Sequence, residues 1–236
     1  MDNKVVLLGT YGGDETHCLS AWQSTNVELG VELPHNVERR IHVLFEETVV
    51  KKKKPPQELL TMLAQHGHHT PFEKSALHFQ VTGDIASHIH CLKHRVATSI
   101  NSESARYKKL ANKHYLPEDF RGIPVQDIGL GKGAYDWYEV LDNFAQESEK
   151  LYETAARELT PILGRKRAKE SARFFLTYNK QLDFDIMFNF RSFANFYGLR
   201  GTPHAQVEIQ DIADQMLALI KELPQFTMSL EAFGLA

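Results

Sequence analysis

The run Lys93-His94-Arg95-Val96-Ala97-Thr98-Ser99-Ile100-Asn101-Ser102-Glu103-Ser104-Ala105-Arg106-Tyr107 cannot be an ordinary core helix or strand. It crowds ammonium, imidazole, guanidinium, hydroxyl, amide and carboxylate groups between small apolar residues. A buried polar group without a partner costs a few kcal/mol. Such a segment therefore either lies in water or has its hydrogen bonds completed by a ligand. Val96, Ala97, Ile100 and Ala105 press it against a core, which favours the ligand. Arg95 and Arg106 carry the planar fork that grips phosphate, and Ser102 and Ser104 add short donors for the same kind of oxygen.

The flanking sequence predicts a mixed α and β chain. Residues 4–11 read as a buried strand stopped by Gly12-Gly13, and Asp14 as the cap of a helix reaching Gln23. A helix is expected to start around 36–41, whereas 42–50 fits a strand as well as a helix. The four lysines 51–54 read as a solvated loop. A helix follows over 57–65 behind Pro56, with Leu59, Leu60 and Leu63 on one face, and Gly67 with Thr70-Pro71 ends it in a cap and turn. Residues 75–82 alternate, with Leu77, Phe79 and Val81 inward. Asp84 caps a predicted helix over 85–95, which would stack His90 on His94 at i, i+4.

The second half reads as helical. Gly129–133 is glycine-rich but lacks a phosphate-loop ending, so it is a loop. A helix over 135–159 would bury Trp137, Leu141, Phe144, Leu151 and Ala155, interrupted by Ser148, and Pro161 and Gly164 would end it. In the next helix, 165–178, Arg173 precedes Phe174-Phe175-Leu176 and is expected to snorkel to water. Residues 181–188 alternate like a strand. A helix over 189–200 then sets Arg191 and Asn195 on one face and Phe190, Phe193, Ala194 and Tyr197 on the other. Thr202-Pro203 reads as the start of a last helix, 204–223, with a stripe at Ile209, Ile212, Ala213, Met216, Ile220 and Leu223.

Four landmarks in this order resemble the flavin-dependent thymidylate synthases. The family signature is Arg-His-Arg, seven residues, Ser, then x-Arg-Tyr. Here Lys93 replaces the first Arg, and eight residues separate Arg95 from Ser104. Residues 99–107 align without a gap, which places the extra residue among Val96, Ala97 and Thr98 as a bulge. Gly67-His68-His69-Thr70-Pro71-Phe72-Glu73 is similar to the family's Gly-His-x-[Ser/Thr]-Pro-x-Glu. Asn189, Arg191, Asn195 and Arg200 followed by Ala205-Gln206-Val207-Glu208-Ile209 match a third landmark, and Arg173 precedes Arg191 by the family spacing.

The resemblance implies one α/β (α+β mixed) domain over 1–236, with a small sheet and a helix-rich C-terminal half. It also implies a homotetramer whose active sites draw on several subunits. The implied reaction is reductive methylation of dUMP to dTMP, with 5,10-methylenetetrahydrofolate as carbon donor and NADPH as reductant through FAD. Arg200 would be catalytic, holding charge on the pyrimidine. His90 (where the family has Gln), Lys93, Ser102, Glu103, Ser104, Arg106, Arg173 and Arg200 would bind the nucleotide. Thr70, Glu73, Lys93, His94, Arg95, Asn189, Arg191 and Asn195 would bind FAD.

Other classes are weighed against it. A flavoenzyme acting on another pyrimidine nucleotide would suit the changes at Lys93 and His90. An RNA-binding module built on 51–54 and 93–109 is disfavoured by a net charge of -3. A metal hydrolase using His68, His90 and His94 lacks a full ligand set, so no metal is expected. Cys18 and Cys91 form no paired motif and read as packing residues of a reduced chain. The absence of a long apolar run or leader pattern predicts no membrane segment and a cytoplasmic location.

Overall fold

A four-stranded sheet of order β1-β2-β4-β3 runs through the protein, seen in a computed structural model that describes residues 2–24, 33–126 and 136–236. The strands are β1 (Lys4–Gly12), β2 (Ser75–Asp84), β3 (Thr98–Ser102) and β4 (Gln181–Phe188). The helices are α1 (Asp14–Gln23), α2 (Arg40–Val49), α3 (Pro56–Gln65), α4 (Ile85–Leu92) and α5 (Trp137–Leu163). They continue with α6 (Arg165–Ala172), α7 (Phe190–Arg200), α8 (Val207–Lys221) and α9 (Thr227–Ala232). This is the mixed α/β class expected. The glycine-rich stretch 129–133 and the predicted helix start at Tyr135 lie outside the described residues.

By contacts the chain forms two units that each take part of every strand. The first holds Met1–Lys4, Val81–Lys93 and Asn101–Asp185. In it α5 packs along α6, but not through the expected stripe. Trp137, Phe144 and Leu151 are exposed, while Ala145, Ser148, Glu149 and Tyr152 are buried. The reason is chemical. Lys180, at the turn into β4, is fully buried, and its Nζ donates to Glu149 Oε2 at 2.6 Å. A buried cation must be paired, so α5 turns its carboxylate face inward and its large apolar residues outward. Ser148, an apparent flaw in the stripe, donates to the carbonyl of Phe175 and pins the turn that follows α6.

The second unit holds Val5–Gln80, His94–Ile100 and Ile186–Ala236. Its core is aromatic: Phe190 stacks on Phe226 at 5.8 Å, and Phe72 meets Phe233 edge-on at 4.8 Å. His17 sits among these rings, fully buried, with Nδ1 2.8 Å from Ser229 Oγ and Nε2 3.0 Å from Ser75 Oγ. The neighbours fix its tautomer. Ser229 Oγ donates to Asp14, so it accepts from Nδ1–H. Ser75 Oγ accepts from the Phe190 N–H at 3.2 Å and donates to Nε2. A neutral imidazole thus links α1, β2, α7 and α9, with both nitrogens satisfied.

Several local expectations are corrected. β1 is a strand but not a buried one: Val6 is 41% and Leu8 51% exposed, because β1 is a sheet edge. Residues 42–49 are helical, as part of α2, whose buried Phe45 stacks on Trp22 at 5.8 Å. Gly13, not Asp14, caps α1; the Asp14 carboxylate instead accepts the N–H groups of Met228 and Ser229, each at 2.8 Å, and so caps α9. β3 has no counterpart among the expectations, since its five residues alternate between half-buried and exposed without an apolar signal.

Candidate functional site

The nominated residues fall into two groups, one in each unit. In the first unit, Asp84 caps α4 as expected, accepting from the Ser87 N–H at 2.8 Å. The helix stops at Leu92 rather than Arg95, so His90 and His94 do not share a helical face. His90 is half-buried on α4, and Lys93 is exposed just beyond it. Ser102 ends β3 and bonds His88 Nε2 at 2.7 Å. His88 lies edge-on to Phe184 at 4.8 Å, and burial lowers its pKa, so it is a neutral partner. Glu103 donates its N–H to the Asp183 carbonyl at 2.9 Å and takes Lys108 Nζ at 2.8 Å. Ser104 Oγ accepts the Arg106 N–H at 3.3 Å, closing the loop on itself.

Arg106 is the most informative residue of this group. Its Nη2 meets Glu170 Oε1 on α6 at 2.7 Å, while its Nε is buried with no partner among the described residues. An N–H aimed into protein with no acceptor is costly, and an anionic ligand oxygen would satisfy it. Arg173 is exposed in the short turn after α6 that Ser148 pins, consistent with the expected snorkelling.

In the second unit, Gly67, at φ 74, ends the α3 region, and a 3-10 turn over Thr70–Glu73 follows. Thr70 is exposed, and Glu73 forms an ion pair with Arg191 Nη1. Asn189 caps α7 by accepting the Ser192 N–H at 2.8 Å, which leaves its amide N–H groups for a ligand. Arg191 and Asn195 are exposed one turn apart, as expected. Ser192 Oγ donates to the Val96 carbonyl at 2.8 Å. Between Arg95 and β3, Ala97 has φ 49, the one left-handed non-glycine among the described residues. That is where the extra signature residue was expected to bulge. Arg200, at the end of α7, donates from Nε to His94 Nε2 at 3.0 Å. Gly201 ends α7, and a Cβ there would lie 2.5 Å from the Tyr197 ring. The next helix starts only at Val207, with Gln206 as cap, so Thr202-Pro203 is a turn and not the predicted helix start.

Sequence reasoning missed His88 and Glu170. His88 carries no pattern of its own, but Glu170 is the one acid in the basic run of α6, a signal that was available. No described group of three or more His, Cys, Asp or Glu residues is arranged to hold a metal. A cavity of about 720 Å³ in the second unit, lined by Tyr11, Ile41, His42, Phe45, Met228 and others, contains none of the nominated residues. Among the described residues no helix is long and apolar enough to cross a membrane.

Comparison with known proteins bears on the family and the fold of the whole chain. The profile of the thymidylate synthase complementing protein family matches residues 10–225. The flavin-dependent thymidylate synthase of Thermosipho africanus is 31% identical over 193 residues, covering 78% of this chain and 79% of that protein. That of Gluconobacter oxydans is 30% identical over 192 residues, covering 78% of this chain and 62% of the relative. In fold, the chain is similar to a UMP/dUMP methylase, PolB from Streptomyces cacaoi, solved with 5-Br dUMP. The TM-score is 0.70 at 22% identity, covering 99% of this chain and 95% of that one.

Proposed function

Because this chain belongs to the thymidylate synthase complementing protein family, the flavin-dependent thymidylate synthases, we propose that it methylates carbon 5 of dUMP reductively. In this reading FAD is the resident cofactor, NADPH the reductant and 5,10-methylenetetrahydrofolate the carbon donor. The whole chain acts as one functional domain in a cytoplasmic homotetramer, without nucleic-acid or membrane partners. The observation that carries the nucleotide assignment is the buried, unpartnered Nε of Arg106 beside Ser104.

Each group of residues has a task. Ser104, Arg106 and Arg173 hold the phosphate of dUMP, with Arg106 oriented by Glu170. Ser102, Glu103, His90 and Lys93 contact the rest of the nucleotide. The second group fits a dinucleotide diphosphate: Arg95 and Arg191 bring two guanidiniums, of which Arg191 pairs with the Glu73 carboxylate. Thr70, Asn189, Asn195 and His94 complete that set with neutral donors. When bound, FAD supplies hydride chemistry that no side chain can perform. Arg200 supplies a fixed positive charge where negative charge develops on the pyrimidine ring, which favours its nucleophilic form.

Cys91 is fully buried on α4 and Cys18 on α1. Burial, aided by the charges of Asp14 and Glu15, pushes the Cys18 thiol up to about 12, the opposite of a reactive thiolate. A cysteine-nucleophile route to thymidylate therefore has no support here.

The test is direct. Purified protein supplied with FAD, NADPH, methylenetetrahydrofolate and dUMP should form dTMP, and omission of FAD should abolish it. UMP supplied in place of dUMP examines the alternative of another pyrimidine nucleotide. Turnover of UMP alone would replace the proposed substrate.

A further inference from the structure

We infer that His94 is a positioning residue for Arg200, orienting its guanidinium without neutralising it. The inference rests on the proposal that Arg200 stabilises charge on the pyrimidine. A guanidinium has donors only, so the 3.0 Å bond from Arg200 Nε requires a lone pair on His94 Nε2. The imidazole is therefore neutral in this contact, with its proton on Nδ1.

The ring is held firmly for a residue outside a helix. It meets fully buried Phe196 edge-on at 4.9 Å, and Phe196 lies one turn before Arg200 on α7. The turn that carries His94 is tied to α7 by the Ser192 bond to Val96 and is shaped by the left-handed Ala97. Gripped at Nε, the guanidinium presents its opposite edge, the Nη1–Nη2 pair, away from His94. Two parallel donors suit adjacent ring nitrogen and carbonyl oxygen atoms of an ionised uracil.

The choice of partner carries the argument. Arg106 is paired with Glu170, and Arg191 with Glu73, both carboxylates. Those arginines bind ligand anions, and a carboxylate that fixes them also offsets their charge. Arg200 alone of these three is held by a neutral acceptor, so its full charge remains for the reacting ring.

Three variants test this, each assayed for bound flavin by absorbance and for kcat and KM of dUMP. His94→Leu removes the acceptor and should lower kcat about 10-fold or more with little change in KM. His94→Gln keeps a neutral acceptor and should recover most of the lost kcat. His94→Glu keeps an acceptor but adds a negative charge, and should be as slow as His94→Leu. In an Arg200→Ala background, His94→Leu should cost nothing further.

The inference is overturned if His94→Leu keeps its kcat, if His94→Gln is as slow as His94→Leu, or if His94→Glu matches the native enzyme. It is also overturned if His94→Leu loses flavin while turnover per bound flavin is unchanged, since His94 would then be a cofactor contact only. Normal turnover of Arg200→Ala would instead remove the underlying assignment. A slow Arg200→Ala with a fast His94→Leu would remove the inference alone.

Discussion

At the scale of single residues, the proposed roles of two arginines separate binding from chemistry. Arg200→Ala should keep the fold and the flavin yet lose about 10²-fold or more in turnover, the usual scale for removing one charge-stabilising group. Assays at saturating dUMP decide this, since a binding defect would disappear there. Arg106→Ala should instead weaken dUMP binding severely, read by titrating the nucleotide against the flavin spectrum. Lys93→Arg should change affinity only modestly, because Lys93 is exposed beyond α4 and acts as a point charge. The Cys18→Ser, Cys91→Ser double variant should still form dTMP. Complete loss of activity in a soluble, flavin-bound double variant would restore the thiol route.

At the scale of elements, local chemistry sets the boundaries that matter to the site. Asn189→Ala removes the cap of α7 and should destabilise the protein by about 1 kcal/mol, read as a lower denaturation midpoint. The same change removes amide donors assigned to FAD, so flavin affinity should fall as well. Where a side chain signals its own role, the sequence was legible. Asp84 caps α4, Phe79 and Val81 face inward on β2, and Arg191 and Asn195 share a face of α7. Where a distant partner decides, it was not. The inward face of α5 is set by Lys180, 31 residues away from Glu149 in the chain. Asp14 serves α9, 215 residues away at Ser229. The end of α4 at Leu92, where the Lys93 N–H turns back to the His90 carbonyl at 3.2 Å, is not announced by any helical periodicity. Of the candidate site, the nominated side chains could be named from the sequence, whereas the groups that pair with them (His88 with Ser102, Glu170 with Arg106) could not.

At the scale of the whole molecule, the buried His17 network links stability to pH. Burial lowers the His17 pKa from 6.5 to about 3, so the unfolded chain takes a proton that the native chain refuses. Stability is then full above 6.5 and falls as pH drops from 6.5 towards 3, by up to about 1.4 kcal/mol per unit. His88 and His114, also lowered by burial, act in the same direction. Asp14, raised by burial, acts in the opposite sense just above its ordinary 3.8. The net fall should be clearest between pH 6.5 and 5, as a drop in the denaturant midpoint. His17→Gln should be less stable at pH 7 but should show a shallower fall. An unchanged slope would mean that the network does not govern acid sensitivity.

On the proposed role of Arg106 in holding the nucleotide phosphate, its pairing with Glu170 sets a threshold against the wrong anions. A cell holds free phosphate and many phosphorylated metabolites, and an open guanidinium would accept any of them. Here a carboxylate at 2.7 Å already occupies one nitrogen and repels incoming negative charge. Only a ligand that gains further contacts elsewhere on its body can overcome that repulsion. Selectivity for the nucleotide then comes partly from an acid that need never touch it, and Glu170→Gln should let inorganic phosphate compete with dUMP more strongly than it does in the unaltered protein.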